Sequence, residues 1–311
     1  MTAKDLLETH SRIQPYIHKT PVLTSTLINE IAGSDLYFKC ENFQKMGAFK
    51  MRGAMNAVLQ LSEDQKAKGV VTHSSGNFAQ ALSLAAKLAG IKAYIVMPSN
   101  APQVKKDGVI TYGGEIIECP PTQKDREETA LAIQKEKGAT FLHPYNMEAV
   151  ILGQGTAALE LLTDHPDLEY IFAPVGGGGL IAGTALAAHY FGKNCQVIGG
   201  EPYEVDDAYR SLQSGQLETN QTTNTIADGL RMSLGDKTFP LIQKHVDDII
   251  RVTENEIVEA MRLIWERMKV IIEPSCAVPL AALIKRKENF YTKKIGIILT
   301  GGNVDLSKLP F

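Results

Sequence analysis

Short apolar runs alternate with amphipathic segments along most of this chain, and that alternation restricts the fold more than any other feature. From Gly69 the apolar runs fall at 70–72, 93–97, 115–118 and 139–142, with helix-period segments between them at 77–88, 103–112 and 124–135. Strand, helix, strand, helix in regular succession predicts a parallel sheet covered on both faces. A second series follows: a helix after Ala149 that runs to Leu162, a strand over 170–175, a helix over 180–189 and a strand over 196–200. It continues with a helix over 254–268 and a strand over 295–299. The predicted class is α/β, with two open, mostly parallel sheets. A small unit, 68–146, interrupts a larger one made from 1–67 and 147–311. Ligands of such sheets bind beyond the carboxyl ends of strands, where glycine-rich loops meet helix N-termini, which places the site in the cleft between the two units.

Composition narrows the partners. With 32 Lys+Arg against 35 Asp+Glu, and no basic block, the chain lacks the positive field that a phosphate backbone requires, so no nucleic acid is expected. No stretch approaches the roughly 18 apolar residues of a membrane span, and no apolar leader opens the chain, so no membrane partner is expected either. Cys40, Cys119, Cys195 and Cys276 are scattered without a CxxC pair, a pattern that fits a reducing cytoplasm.

Three loops carry the chemistry. The strand over 170–175 runs into Gly176, Gly177, Gly178 and Gly179 and then a helix, so backbone N–H groups and the helix dipole can hold a phosphate without Lys or Arg. Gly177, Gly179 and Gly183, with Glu201 at the end of the next strand, also approximate a dinucleotide fingerprint, so a nicotinamide-dependent dehydrogenase is a second reading of this loop. Lys50 follows an apolar pair, Ala48 and Phe49, where a helix begins; both surroundings disfavour its ammonium form, as an amine nucleophile requires. His73-Ser74-Ser75-Gly76-Asn77 closes a strand and opens a helix, presenting two hydroxyls, an amide and free backbone donors.

Taken together, these segments resemble the fold-type II pyridoxal-phosphate enzymes, and among them the serine racemase and serine/threonine dehydratase family. The resemblance rests on Gln44–Ala54, His73–Asn77, Gly176–Gly179, Ile226-Ala227-Asp228-Gly229, Glu273-Pro274-Ser275 and Thr300-Gly301-Gly302-Asn303-Val304-Asp305, which occur in family order. It implies that Lys50 binds pyridoxal 5'-phosphate as a Schiff base and acts as the base, and that Phe49 packs on the ring. It implies further that Gly176–Gly179 cradle the phosphate, Asn77 bonds the phenolic oxygen and Thr300 meets the pyridine nitrogen. The substrate, a small hydroxy amino acid, would place its carboxylate over Ser74, Ser75, Gly76 and Asn77, with Arg126 and Ser233 nearby.

Ser75 is the informative position. Racemases of the family present a serine there as the acid opposite the lysine, whereas many threonine dehydratases have alanine. The resemblance therefore implies a serine racemase that also eliminates water from serine or threonine. The alternative is an enzyme that is mainly an ammonia-lyase for serine, threonine or 3-hydroxyaspartate. Glu201, the Val205 carbonyl and Asp207 match the family's divalent-cation loop, for Mg²⁺, Mn²⁺ or Ca²⁺. The racemases' nucleotide site maps to Ser25, Thr26, Leu27, Lys45, Met46, Gln80 and Tyr112; Met46 stands where a hydroxyl is usual, which argues against ATP activation. Phe78 stands where the family often has histidine, and Tyr145, after His143-Pro144, where mammalian-type serine racemases have asparagine. A homodimer is the family's usual assembly.

Overall fold

The computed structural model describes residues 1–101 and 103–311, the side chains of Val104 and Gln123 excepted. Ten strands are present among them: β1 Val22–Leu23, β2 Asp35–Cys40, β3 Val70–His73, β4 Ala93–Pro98 and β5 Glu115–Cys119, then β6 Thr140–Phe141, β7 Tyr170–Pro174, β8 Gln196–Pro202, β9 Asp248–Val252 and β10 Lys294–Leu299. They form a six-stranded sheet in the order β1-β2-β10-β7-β8-β9 and a four-stranded sheet in the order β5-β4-β3-β6. Only β1 runs antiparallel to its neighbour. The predicted α/β class with two mostly parallel sheets is what the chain adopts, and the smaller sheet is built wholly from strands between Val70 and Phe141.

Each sheet is covered by helices because its strands are apolar on both faces. All six residues of β4 are buried, as are all but the first of β8 and β10. The long helix Glu148–Asp164 buries Gly153 and Gly155, which let it lie close to its neighbours: a Cβ on Gly153 would sit 2.5 Å from the Gly53 Cα. This contact seats the helix Lys50–Leu59, which also packs through Met51, Met55 and Val58 into a core shared with Phe78 and Leu82 of the smaller unit.

A buried ion network anchors the helix Lys50–Leu59 to the larger sheet. The fully buried Arg52 guanidinium donates to Glu41 Oε1 and Oε2 at 2.8 and 2.7 Å, to both Glu160 carboxylate oxygens at 2.9 and 2.8 Å, and to Thr156 Oγ1 at 3.1 Å. Lys39, also fully buried, donates to Glu160 Oε2 at 2.7 Å and to the Thr20 carbonyl at 2.8 Å. Two cations and two carboxylates thus satisfy one another, whereas removing one partner from a buried set of this kind leaves an uncompensated charge and costs about 3–5 kcal/mol.

Candidate active site

Three helix N-termini open toward the cleft without a side-chain cap: Asn77–Leu88 behind Gly76, Gly179–Phe191 behind Gly178, and Pro274–Lys285 behind Glu273. Uncapped N–H groups together with the helix dipole make each of these ends receptive to negative charge.

At the second end, β7 delivers the glycine turn. Gly178 adopts φ +86°, which a side chain would strain, and a Cβ on Gly177 would lie 2.4 Å from the ring carbons of Tyr145. Gly176 is also confined, though less tightly, since its Cβ would lie 3.0 Å from the Leu230 Cα. The N–H groups of Gly176, Gly177 and Gly178 make no hydrogen bond to the described residues, so the cradle is free to receive an anion. Glu201 does not turn toward this loop. Its carboxylate accepts from the N–H groups of Ala208 and Tyr209 at 3.1 and 2.8 Å, so the acid expected of a dinucleotide site is committed elsewhere.

Lys50 heads its helix immediately after Phe49, whose own N–H is fixed to the Thr300 carbonyl at 3.0 Å. The Lys50 Nζ donates to the Pro144 carbonyl at 3.0 Å and lies 5.0 and 6.0 Å from the ring centres of Phe49 and Phe78. Burial among these groups pushes the lysine down to about 8, against a smaller upward pull from Glu273. Phe78, standing where the family often has histidine, contributes an apolar wall rather than a titrating group.

Asn77 is held from two sides. Its Nδ2 donates to Glu273 Oε1 at 2.8 Å, and its Oδ1 accepts from Asn303 Nδ2 at 2.9 Å. Burial and the nearby Asp228 push the Glu273 carboxyl up to about 8. Sequence reasoning assigned no role to Glu273 or Asn303; the signal was their presence in the Glu-Pro-Ser and Thr-Gly-Gly-Asn segments. Thr300, at the end of β10, carries a buried hydroxyl beside the Cys276 thiol that has no hydrogen-bond partner of its own among the described residues.

Ser74, Ser75 and Gly76 follow β3 at the carboxyl edge of the smaller sheet. The Gly76 N–H lies 3.4 Å from Ser74 Oγ, and a Cβ built on Gly76 would meet nothing within 4 Å, so this turn faces open space. His143 props the cleft wall: its Nδ1 accepts from the N–H groups of Tyr145 and Asn146 at 3.3 and 3.0 Å. Burial lowers its pKa to about 4, which keeps the ring neutral.

The other predicted substrate residues adjoin these loops: the Arg126 charge acts on His73, and Ser233 precedes Leu234, whose side chain would lie 2.8 Å from a Cβ on Gly178. Arg126 sits in the first turn of the helix Gln123–Lys137, its Nε 3.4 Å from the Thr122 carbonyl, and Ser233 Oγ accepts from the Asn220 N–H at 2.9 Å. Lys45 and Met46 adjoin the helix that carries Gln80, and Tyr112 packs into the same core, whereas Ser25, Thr26 and Leu27 begin a helix that packs elsewhere. Met46 is buried, in a left-handed conformation with φ 56°. At the acidic loop, Glu201 and Asp207 are both fully buried, and Asp207 Oδ1 lacks any partner among the described residues. No group of three or more metal-ligating side chains occurs among the described residues.

A glycine turn with free N–H groups, a desolvated lysine and an unpaired hydroxyl at the end of a central strand are the kind of groups that could receive a phosphate-bearing cofactor in an α/β fold. The chain belongs to the pyridoxal-phosphate dependent enzyme family, whose sequence profile matches residues 13–301. It is 50% identical to the beta-hydroxyaspartate dehydratase of Paracoccus denitrificans, over 100% of this chain and 98% of that one. It is 45% identical to the L-threo-3-hydroxyaspartate ammonia-lyase of Saccharomyces cerevisiae, over 99% and 94%. The crystal structure of serine racemase from Dictyostelium discoideum superposes with a TM-score of 0.94 at 51% identity, covering 98% of this chain and 99% of that one. Membership in this family replaces the nicotinamide reading, and the commitment of Glu201 to a helix N-terminus is the structural reason the glycine spacing misleads.

Proposed function

We propose that this enzyme interconverts L- and D-serine and, at the same site, eliminates water from serine or threonine to give a keto acid and ammonia. The observation that carries the proposal is a base and a hydroxyl delivered from two different sheet units: Lys50 beside the larger sheet and Ser75 at the edge of the smaller one. The names of the relatives support the same pair of chemistries.

The residues present fit pyridoxal phosphate. Gly176–Gly179 would hold its phosphate, Phe49 would pack on its ring, Asn77 would reach its phenolic oxygen, and the unpaired Thr300 hydroxyl would meet its nitrogen. When bound, the cofactor supplies the electron sink that makes the α-hydrogen of an amino acid acidic. Lys50 Nζ takes that proton, and its desolvated surroundings keep a useful fraction in the neutral form. Ser75 Oγ returns a proton, and the free N–H groups behind Gly76 hold the substrate carboxylate, with Arg126 and Ser233 orienting the remainder. Elimination needs Lys50 and a route for the β-hydroxyl to leave as water, so both reactions share the site.

One incubation with L-serine tests this reading, with D-serine followed by chiral chromatography and pyruvate measured in the same samples. D-serine forming at a rate comparable to pyruvate supports it. Pyruvate without D-serine would favour the second reading, an ammonia-lyase acting on 3-hydroxyaspartate, in line with the names of two relatives.

The lysine sets a pH dependence. At pH 7 an amine with a pKa of about 8 is roughly one-tenth unprotonated, against fewer than about one in a thousand for an ordinary lysine. Uptake of pyridoxal phosphate by cofactor-free protein is therefore expected to accelerate several-fold from pH 6.5 to 7.5, to reach half its maximum near pH 8 and to level off about one unit above that. A flat profile over that range contradicts the assignment.

We further infer a divalent cation, Mg²⁺, Mn²⁺ or Ca²⁺, held by Glu201, Asp207 and the Val205 carbonyl. Two buried carboxylates with an unpartnered oxygen are a hard-oxygen donor set short of a counter-charge. Chelation is expected to lower the melting temperature by about 4–8 °C, with recovery on adding Mg²⁺ or Ca²⁺ and no response in Asp207→Asn.

The smaller unit is taken as 68–146, inserted into 1–67 and 147–311, and the enzyme as cytoplasmic. All four cysteines are free, and no helix among the described residues is long and apolar enough to cross a membrane. A homodimer is supported by the exposed Phe43 and Ile271, which share one shallow surface pocket. ATP is not part of the proposal.

A further inference from the structure

The Ile226-Ala227-Asp228-Gly229 segment has a structural setting but no chemical role in the scheme above. It is fixed to the larger unit: Thr225 Oγ1 and the Ile226 N–H donate to the Glu254 carboxylate at 2.7 Å each, and the Gly229 N–H donates to Ser275 Oγ at 3.0 Å. Its last turn also presses on the phosphate cradle, through the close approach of Leu230 to Gly176. Asp228 therefore reports the position of the larger unit and of the glycine turn.

Lys105 belongs to the other side of the cleft. It lies on the helix Gln103–Thr111, which follows β4 and is tied to the smaller sheet by the neighbouring Lys106, whose Nζ donates to the Ser99 carbonyl at 2.9 Å. The Lys105 Nζ nevertheless reaches Asp228 Oδ2 at 2.5 Å, so one ion pair spans the two units. The two side chains are 28% and 38% exposed, which places the pair at the rim. Inside it, the bonds of Asn77 to Glu273 and Asn303 join the same two units at the cofactor site.

We propose that Lys105 and Asp228 are positioning residues whose ion pair clasps the smaller unit onto the larger one over the cofactor and substrate. A partly exposed pair adds little to global stability. Opening and closing of a cleft is a far more evenly balanced equilibrium, so a small bias there changes the closed population several-fold. Closure excludes water and brings Ser75 toward the substrate held beside Lys50.

The test uses the holoenzyme and three variants: Lys105→Met, Asp228→Asn and the double substitution. Hydroxylamine strips the cofactor only when it can enter the cleft, and loss of the visible absorption band gives its rate without turnover of any amino acid. Each single substitution is expected to speed bleaching about three- to tenfold and to lower kcat/KM for L-serine by a similar factor, mainly through KM. The double variant is expected to be no worse than either single. Salt at about 0.5 M should shrink the wild-type advantage.

Bleaching at the wild-type rate in Lys105→Met overturns the clasp, as does a double variant whose defect equals the product of the two singles. Should Asp228→Asn disturb its turn and lose cofactor, Lys105→Met on its more exposed helix decides alone. A protein inactive on L-serine but showing the bleaching pattern would refute the serine assignment and leave the clasp standing.

Discussion

Lys50→Ala is expected to abolish D-serine and pyruvate formation together, with both rates falling by about 10⁴-fold or more, and to erase the visible absorption that the cofactor gains on binding. No other amine can take its place. Lys105 is engaged with Asp228 at the rim, and Lys39 is locked beneath the helix by Glu160. The variant should stay folded. An amine held at about 8 is unfavourably placed as an ammonium ion, and among the described residues the Lys50 side chain makes one hydrogen bond, to the Pro144 carbonyl, so alanine relieves a desolvation cost while losing little. An unchanged melting temperature with absent turnover would assign the defect to chemistry. Retention of either reaction at more than a few per cent would overturn the functional reading as a whole.

Ser75→Ala is expected to separate the two reactions. Racemisation should fall about 10²- to 10³-fold, while pyruvate formation from L-serine stays within about threefold of wild type, because only the first needs a proton returned by the serine hydroxyl. The substitution removes one oxygen from a half-buried turn facing open space, so it gives the fold no reason to favour one reaction over the other. Parallel loss of both activities would instead make Ser75 a binding residue. Chiral chromatography and a keto-acid assay on the same samples distinguish the outcomes.

Local signals account for much of this architecture. The alternation from Gly69 onward matches β3 to β6 to within about a residue or two, because each of those strands carries an apolar stretch bounded by glycine or polar turns. By contrast, β2 and β9 remain unassigned by pattern. The sequence Asp-Leu-Tyr-Phe-Lys-Cys of β2 carries a lysine inside the protein, and that charge is tolerable only because Glu160, 121 residues away, meets it. The helix Pro274–Lys285 is masked by Pro279 within it. The site divides the same way. Lys50, the serine turn and the four glycines sit in contiguous segments that announce themselves. The orientation of the Asn77 amide depends on Glu273, 196 positions along the chain, and on Asn303, and no spacing rule links such residues. The acidic loop misleads in the opposite direction: Glu201 lies where a ribose ligand would, but its surroundings commit it to a helix end.

The Arg52 network beneath the Lys50 helix has a consequence for product ratio. That network rivets the lysine to the larger sheet, whereas Ser75 rides on the smaller one. In the proposed scheme the base and the acid thus belong to different units. Stereochemical inversion then demands both units in register, while loss of water demands only the fixed partner. The proportion of D-serine to pyruvate becomes a gauge of how long the two halves stay together. Viscous cosolvents, temperature or a tight-binding dicarboxylate should move that proportion without any change in the reacting groups.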